Sequence, residues 1–218
     1  MSEEIVSSEE IETTSGQQYL DKDFSVELNF KFWTTKGARF VASHRFKTIN
    51  QLSSYSLGFL SAYLIILGLL SVFGIGTRFV VTSDQFALIS TSLSILILVF
   101  SQLEGSNDYR LRAEKFHDCA LEISELYNKL RYLKTSSMTQ DEINKLSEKL
   151  SVEYSTILKK YENHKYIDFL KFQTTKNDYF NLKWYDVLWI RLKYYCGTQL
   201  LYHILIVLPP ILIYFIIS

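Results

Sequence analysis

Between Lys47 and Arg78 the chain carries no charged residue: TINQLSSYSLGFLSAYLIILGLLSVFGIGT. A run of roughly 20 apolar residues crosses a hydrocarbon core of about 30 Å as a helix, and Leu52 to Ile75 meets that length. A second uncharged run, QFALISTSLSILILVFSQL from Gln85 to Leu103, is shorter but adequate. The connection TRFVVTSD is too short for a domain, so the two runs predict a tight transmembrane helical hairpin. A third uncharged run, YYCGTQLLYHILIVLPPILIYFIIS, extends from Tyr194 to Ser218. Pro209 and Pro210 each remove a backbone donor and crowd the preceding turn, which predicts a kinked third span bent near Leu205 to Pro210. A re-entrant or interfacial course is the alternative. Trp184, Trp189, Tyr194 and Tyr195 suit an interfacial aromatic belt where this segment begins.

Elsewhere the pattern is amphipathic. FSVELNFKFW alternates, with Phe24, Val26, Leu28, Phe30 and Phe32 on one face, which is a strand signal. It has no partner run in the chain, so pairing with another chain and a membrane-surface helix both stay open. From about Thr35, TKGARFVASHRFKTINQL reads as a basic interfacial helix leading into the first span. After Asn107, the residues Tyr109, Ala113, Phe116, Ala120, Ile123, Tyr127 and Leu130 recur in alternating steps of four and three, a heptad-type seam. A second helix starts with a capping box at Thr139 and Glu142 and carries Ile143, Leu146, Leu150, Tyr154, Ile157 and Tyr161 on one face. The two predict an antiparallel helical hairpin, or a coiled coil between identical chains. The expected fold class is an all-α membrane protein with five segments. Residues 1–18 form a disordered acidic tail and 19–51 a cytoplasmic or interfacial segment. A transmembrane hairpin occupies 52–104, a cytoplasmic helical region 105–190 and a third membrane segment 191–218.

Charge refines this picture. The 23 basic and 23 acidic residues cancel, so no overall field points to nucleic acid as a direct ligand. Lys31, Lys36, Arg39, Arg45 and Lys47 precede the first span, and Arg110, Arg112 and Lys115 follow the second. Lys183, Arg191 and Lys193 precede the third, while the hairpin connection holds only Arg78. This distribution places the N-terminus and the 105–190 region in the cytoplasm. Two cysteines, Cys119 and Cys196, make no disulfide framework. The acidic, serine-rich start has no apolar signal-peptide core.

Candidate chemistry is sparse. EKFHDCALEI gathers Glu114, His117, Asp118, Cys119 and Glu122, but His117 and Cys119 lie about 200° apart on a helix and cannot share a metal. Glu114 and His117 have the Glu-x-x-His spacing of di-iron bundles, yet no second copy exists. The cluster reads as a solvated flank, and no enzymatic activity, metal or cofactor is expected. Small and polar residues recur through the hairpin: Ser54, Gly58, Ser61 and Gly68, then Ser83, Ala87, Ser90, Ser94 and Ser101. They suit close packing inside the hairpin or a water-filled path in an oligomer. Gln199 and His203 share a face of the third segment as a candidate intramembrane polar contact, either an internal hydrogen bond from His203 to a neighbouring helix or a gate or pH-responsive contact in the bundle.

Four stretches carry a resemblance: FWTTKGARFVASHRFKTINQLSSYSLGFLSAYLIIL, YRLRAEKFHDCALEISELYNKL, YENHKYIDF and YYCGTQLLYHILIVLPPILIYFI. From about residue 32 onward the chain resembles the SLATT family, the SMODS- and SLOG-associating two-transmembrane effector proteins of bacteria, in the branch with a third hydrophobic segment. The resemblance implies a bacterial inner-membrane effector of antiphage conflict systems that oligomerises and perforates or depolarises the membrane. It also implies a trigger from a neighbouring-gene sensor, nucleotidyltransferase or reverse transcriptase, or from a ligand at the cytoplasmic helices. Arg110, Arg112, Lys115 and Arg131 are the cations available there, and their spacing makes no compact anion pocket. The alternative is a non-conducting scaffold that recruits a partner through its heptad face.

Overall fold

The computed structural model describes residues 23–73 and 82–217, so the acidic tail and the hairpin connection around Arg78 lie outside the described residues. Every regular element among the described residues is helical: α1 (Phe24–Phe73), α2 (Ser83–Gly105), α3 (Tyr109–Thr135), α4 (Gln140–Lys160), α5 (Tyr166–Gln173), α6 (Asn177–Phe180), α7 (Trp184–Thr198) and α8 (Leu200–Ile217). They group into two compact units. One joins the chain up to Phe40 with Phe116–Phe172; the other joins Val41–Lys115 with Gln173–Ser218.

In the first unit, the stretch expected as a possible strand is the start of α1. Asp23 begins the helix by accepting the Ser25 backbone N–H at 2.8 Å and the Ser25 hydroxyl at 2.7 Å. These bonds hold the Asp23 carboxyl below its usual range. The alternation misleads because Leu28 and Phe32 are also one helical turn apart. Those two are buried, whereas Phe24, Val26 and Phe30 on the supposed same face are exposed. Leu28 and Phe32 join Cys119, Ile123, Leu126 and Leu130 of α3 and Leu150 and Ile157 of α4 in one apolar core. The α3 seam is therefore occupied within the chain: Phe116, Ala120, Ile123 and Leu130 are all nearly inaccessible. At the start of α4 the Thr139 backbone N–H and hydroxyl both donate to Glu142 Oε2 at 2.9 Å.

A side-chain bond fixes the far end of this hairpin. The Tyr161 hydroxyl donates to Glu122 Oε1, and Lys160 reaches Glu122 Oε2 at 3.2 Å. Glu122 is thus a half-buried acceptor rather than part of a wholly solvated flank. Tyr161 and then Lys160, against some burial, lower its pKa, while the bond to Glu122 pushes Tyr161 up to about 12. Because the folded pKa of Glu122 lies below its unfolded value, its contribution is full above the ordinary carboxylate range and is lost as pH falls through the folded value. Tyr161 works oppositely: its contribution is full below the ordinary tyrosine range and is lost as pH rises through about 12. Tyr161→Phe is expected to cost roughly 0.5–1 kcal/mol at neutral pH, since the pair is partly solvated. It should also flatten the acid limb of a melting-temperature profile; an unchanged profile would mean that solvent screens the pair.

In the second unit, α1 and the stretch Asp84–Thr135 each contain a window long and apolar enough to cross a membrane. Within the chain only 11% of the first window and 0% of the second is buried, so these surfaces face a hydrocarbon solvent or other chains. Thr82 and Gln85 cap the start of α2 reciprocally, with Thr82 N–H to Gln85 Oε1 at 3.0 Å and Gln85 N–H to Thr82 Oγ1 at 3.4 Å. The third hydrophobic segment is a broken pair, α7 and α8, bent by 65°. The break lies at Gln199, with φ −125° and ψ −31°, not at the prolines, which sit inside α8. The break therefore lies ahead of Leu205 to Pro210, the stretch where a kink was expected, and the helix runs on through the prolines. Pro210 cannot donate to the carbonyl four residues back, and Tyr63 Oη supplies that donor to Ile206 O at 2.8 Å. A freed carbonyl satisfied by a neighbouring helix does not force a bend.

Candidate functional site: the membrane helices and a buried arginine

The packed side of α2 is set by half-buried Phe86, Ser90, Leu93, Ile97, Phe100 and Glu104, at steps of four and three. On α1 the packed side is Ser53, Ser56 and Leu60, with Tyr63 and Leu67 half-buried. Three hydrogen bonds tie α8 to these helices. Besides the Tyr63 bond to Ile206 O, Ser56 Oγ reaches Tyr202 O at 3.3 Å while also donating to Leu52 O at 2.7 Å. At the end of α2, Tyr202 Oη donates to Glu104 Oε2 at 2.9 Å, and Tyr109 Oη approaches Oε1 at 3.5 Å. Tyr202 is 6% exposed, so this carboxylate, immediately after the uncharged run, is held by two phenols.

The small residues divide between two environments. Ser54, Gly58 and Ser61 are exposed on α1, as are Ser94 and Ser101 on α2. Ser54, Ser61 and Ser94 return their hydroxyls to carbonyls of their own helices, Asn50 O, Leu57 O and Ser90 O, at 2.9, 2.9 and 2.7 Å. Gly68, Ala87 and Ser90 instead border a cavity of about 560 Å³ between α1, α2 and α8. A Cβ on Gly58 or Gly68 would meet nothing within 4 Å, so neither glycine serves a close helix contact inside the chain. The side chain of Ser83 lies outside the described residues. His203 pairs within its own bent segment: Nδ1 is 3.0 Å from the Tyr195 hydroxyl and the rings stack at 5.5 Å. Gln199 is the residue of the break. Pro209 lines the cavity.

In the first unit, Arg39 of α1 is fully buried. Its Nη2 donates to Asn163 Oδ1 at 3.0 Å, and its guanidinium lies 5.4 Å from the Phe116 ring. Among the described residues Nε and Nη1 have no hydrogen-bond partner and are buried, as is Nδ1 of His164. Burial lowers the pKa of Arg39, opposed by Cys119, Tyr154 and Glu162. Burial and then the Arg39 charge lower that of His164, with Asp168 opposing. Burial pushes the Cys119 thiol up, which disfavours the thiolate a nucleophile requires. The arrangement ties α1 to the residues following α4 and offers no activated nucleophile.

The other singled-out residues are dispersed. His117 meets the Phe40 ring edge-on at 5.6 Å, and Glu114 pairs with Arg110 at 3.2 Å. Arg112 lies over Phe46, 4.2 Å from the ring centre, as does Arg45. Arg131 contacts Tyr127, which Lys36 also covers at 3.6 Å. Among the described residues no group of three or more His, Cys, Asp or Glu side chains is placed to hold a metal. Sequence reasoning missed Glu104, Tyr202, Tyr63 and Arg39. The signals were a carboxylate adjoining an uncharged run, phenols on apolar helices, and an arginine within an otherwise uncharged helix turn.

Comparison with known proteins adds the family. No curated protein and no solved structure matches the chain. The profile of the SMODS and SLOG-associating 2TM effector domain family 5 matches residues 21–216, which takes in both units, the hairpin and the bent third segment. With nearly its whole length matched, this all-α chain, with helices long and apolar enough to cross a membrane, belongs to the SLATT family of two-transmembrane effector domains.

Proposed function

We propose that the chain is an effector of a bacterial antiphage system that assembles from several copies and, once triggered, permeabilises or depolarises the inner membrane. The observation that carries this reading is the outward stripe of Ser54, Gly58 and Ser61 on α1, with Ser94 and Ser101 on α2. Small residues on a lipid-facing surface let helices of neighbouring copies approach closely. Among the described residues one copy shows no polar path of its own, because the space between α1, α2 and α8 is mainly apolar; a conducting path needs several copies. The N-terminus and the region 105–190 lie in the cytoplasm in this reading, following the lysines and arginines. A neighbouring-gene sensor, nucleotidyltransferase or reverse transcriptase supplies the trigger there, and α8, tied to the hairpin, holds the resting state. The rival scaffold would recruit through the heptad face, but Phe116, Ala120, Ile123 and Leu130 already spend that face inside the chain.

A voltage-sensitive dye in bacteria expressing the protein with its neighbouring genes, under phage challenge, tests the reading. The wild type should lose membrane potential. Gly58→Leu and Ser61→Leu should cut the response roughly tenfold, the factor that 1.4 kcal/mol of lost contact produces. Ile65→Leu, at an exposed apolar position, should leave it intact. Unchanged potential in triggered wild-type cells with confirmed membrane insertion would reject permeabilisation.

A further inference from the structure

We propose that the cavity between α1, α2 and α8 is a binding site for one acyl chain of a membrane lipid. The inference rests on the membrane placement of these helices and is independent of pore formation. The cavity, about 560 Å³, lies in the half of the spans next to the α1–α2 connection, between residues 60–71 of α1, 86–93 of α2 and 208–212 of α8. Leu60, one of its lining residues, is buried. The cavity exists because Gly68, Ser71, Ala87 and Ser90 are small where longer side chains would close the gap. The Gly68 position shows this directly, since an added Cβ would meet nothing within 4 Å.

Three observations identify the occupant. First, two of the three hydroxyls at the walls, those of Ser90 and Tyr63 but not Ser71, are already committed. Ser90 Oγ donates to Ala87 O at 3.1 Å on its own helix, and Tyr63 Oη donates to Ile206 O. A buried water needs two to four polar partners and finds few here, so an apolar occupant is favoured. Second, a space of about 560 Å³ with a mainly apolar lining is within the range of roughly 300–1,000 Å³ for sites that hold a small apolar ligand group. Third, Ile89, Leu208 and Leu212 at the rim are about half exposed, and exposed Ile65, Ile66 and Leu88 continue the apolar surface around them. The opening is therefore continuous with the face that the spans present to the bilayer, and the molecules at that face are lipids. A flexible acyl chain can enter from there while its headgroup stays at the interface.

Native mass spectrometry tests this on the full chain released from vesicles of phosphatidylethanolamine and phosphatidylglycerol into mild detergent. The expected result is one retained phospholipid per chain in the wild type and in Gly58→Leu, whose added bulk points outward. Gly68→Leu and Ser90→Leu should lose it roughly tenfold. Folded wild type without lipid, retention indifferent to filling the cavity, or a second copy of the chain in place of lipid would each overturn the assignment. Should the filled variants fail to fold, a phospholipid with a diazirine on its acyl chain gives a second reading on the wild type. Labelling concentrated at residues 68–71 and 87–90 supports the site; equal labelling at 54–61 shows only the lipid shell and overturns it. Loss of depolarisation in Gly58→Leu with lipid retained would separate the assembly surface from the lipid site.

Discussion

Replacing Gly37 with alanine is expected to destabilise the unit containing α3 to α5 by about 1–3 kcal/mol, the usual cost of forcing extra atoms into a packed core. A Cβ at this position would overlap Cε2, Cδ2 and Cζ of Phe172. The ring is 7% exposed and meets Trp33 edge-on at 5.3 Å, so it yields only by leaving its seat on α1. The sign is the diagnostic feature. Glycine to alanine inside a helix ordinarily gains up to about 1 kcal/mol from propensity, and Gly105 or Gly197, with open space around them, should show no such clash. Thermal melting by circular dichroism in detergent reads the difference, and hydrogen exchange of the α5 amides localises it. Phe172→Ala alone should cost about 3–5 kcal/mol. Adding Gly37→Ala to it should then cost little further, because the clash has lost its partner. A neutral or stabilising Gly37→Ala in the intact background would mean that the ring has room to move and that α5 is held by other contacts.

Legibility followed the length over which a pattern repeats. The two long apolar runs and the seams of α3 and α4 stand out because many residues obey one period, and the structure places Ala113, Phe116, Ala120, Ile123 and Leu130 inward as that period requires. The start of α1 was ambiguous because an alternating stretch of nine residues contains i,i+4 pairs as well as i,i+2 pairs. Asp23, the residue that decides for helix, acts through one carboxylate and leaves no period. The bend at Gln199 was misplaced for a similar reason. Proline signals a missing donor, but whether the helix bends depends on what replaces it, and the replacement is Tyr63, 147 positions before Pro210 in the numbering. Glu104 looked like the end of a span. Its role depends on two phenols, one of them from α8, and spacing along the chain cannot report such a meeting. Arg39 was counted among the cations that set topology, while its side chain lies wholly inside the protein.

Tyr202→Phe should loosen α8 from the hairpin by about 1.5–3 kcal/mol, the range for a hydrogen bond to a charged group. Phenylalanine keeps the ring in its buried seat and deletes only the donor at 2.9 Å from Glu104 Oε2. The carboxylate is then left with Tyr109 at 3.5 Å. In population this is a roughly ten- to hundredfold rise in the detached state. Tyr63→Phe adds a second loss: Ile206 O, which Pro210 cannot serve, would stand without a donor, and in an apolar medium each such group costs several kcal/mol. Hydrogen exchange of the amides at 200–206 measures the effect, and those of α2 supply the internal reference. Faster exchange in α8 alone, larger in the double variant, is the expected result; unchanged exchange would show that apolar packing suffices to hold it. The same variants bear on the resting state. If α8 restrains the hairpin, Tyr202→Phe should depolarise cells without the trigger, since the energy the trigger must supply has been lowered by that of the lost bond. If α8 is only an anchor, α8 exchange should accelerate while the potential stays intact, and the restraint would have to be sought among the helices around Arg39.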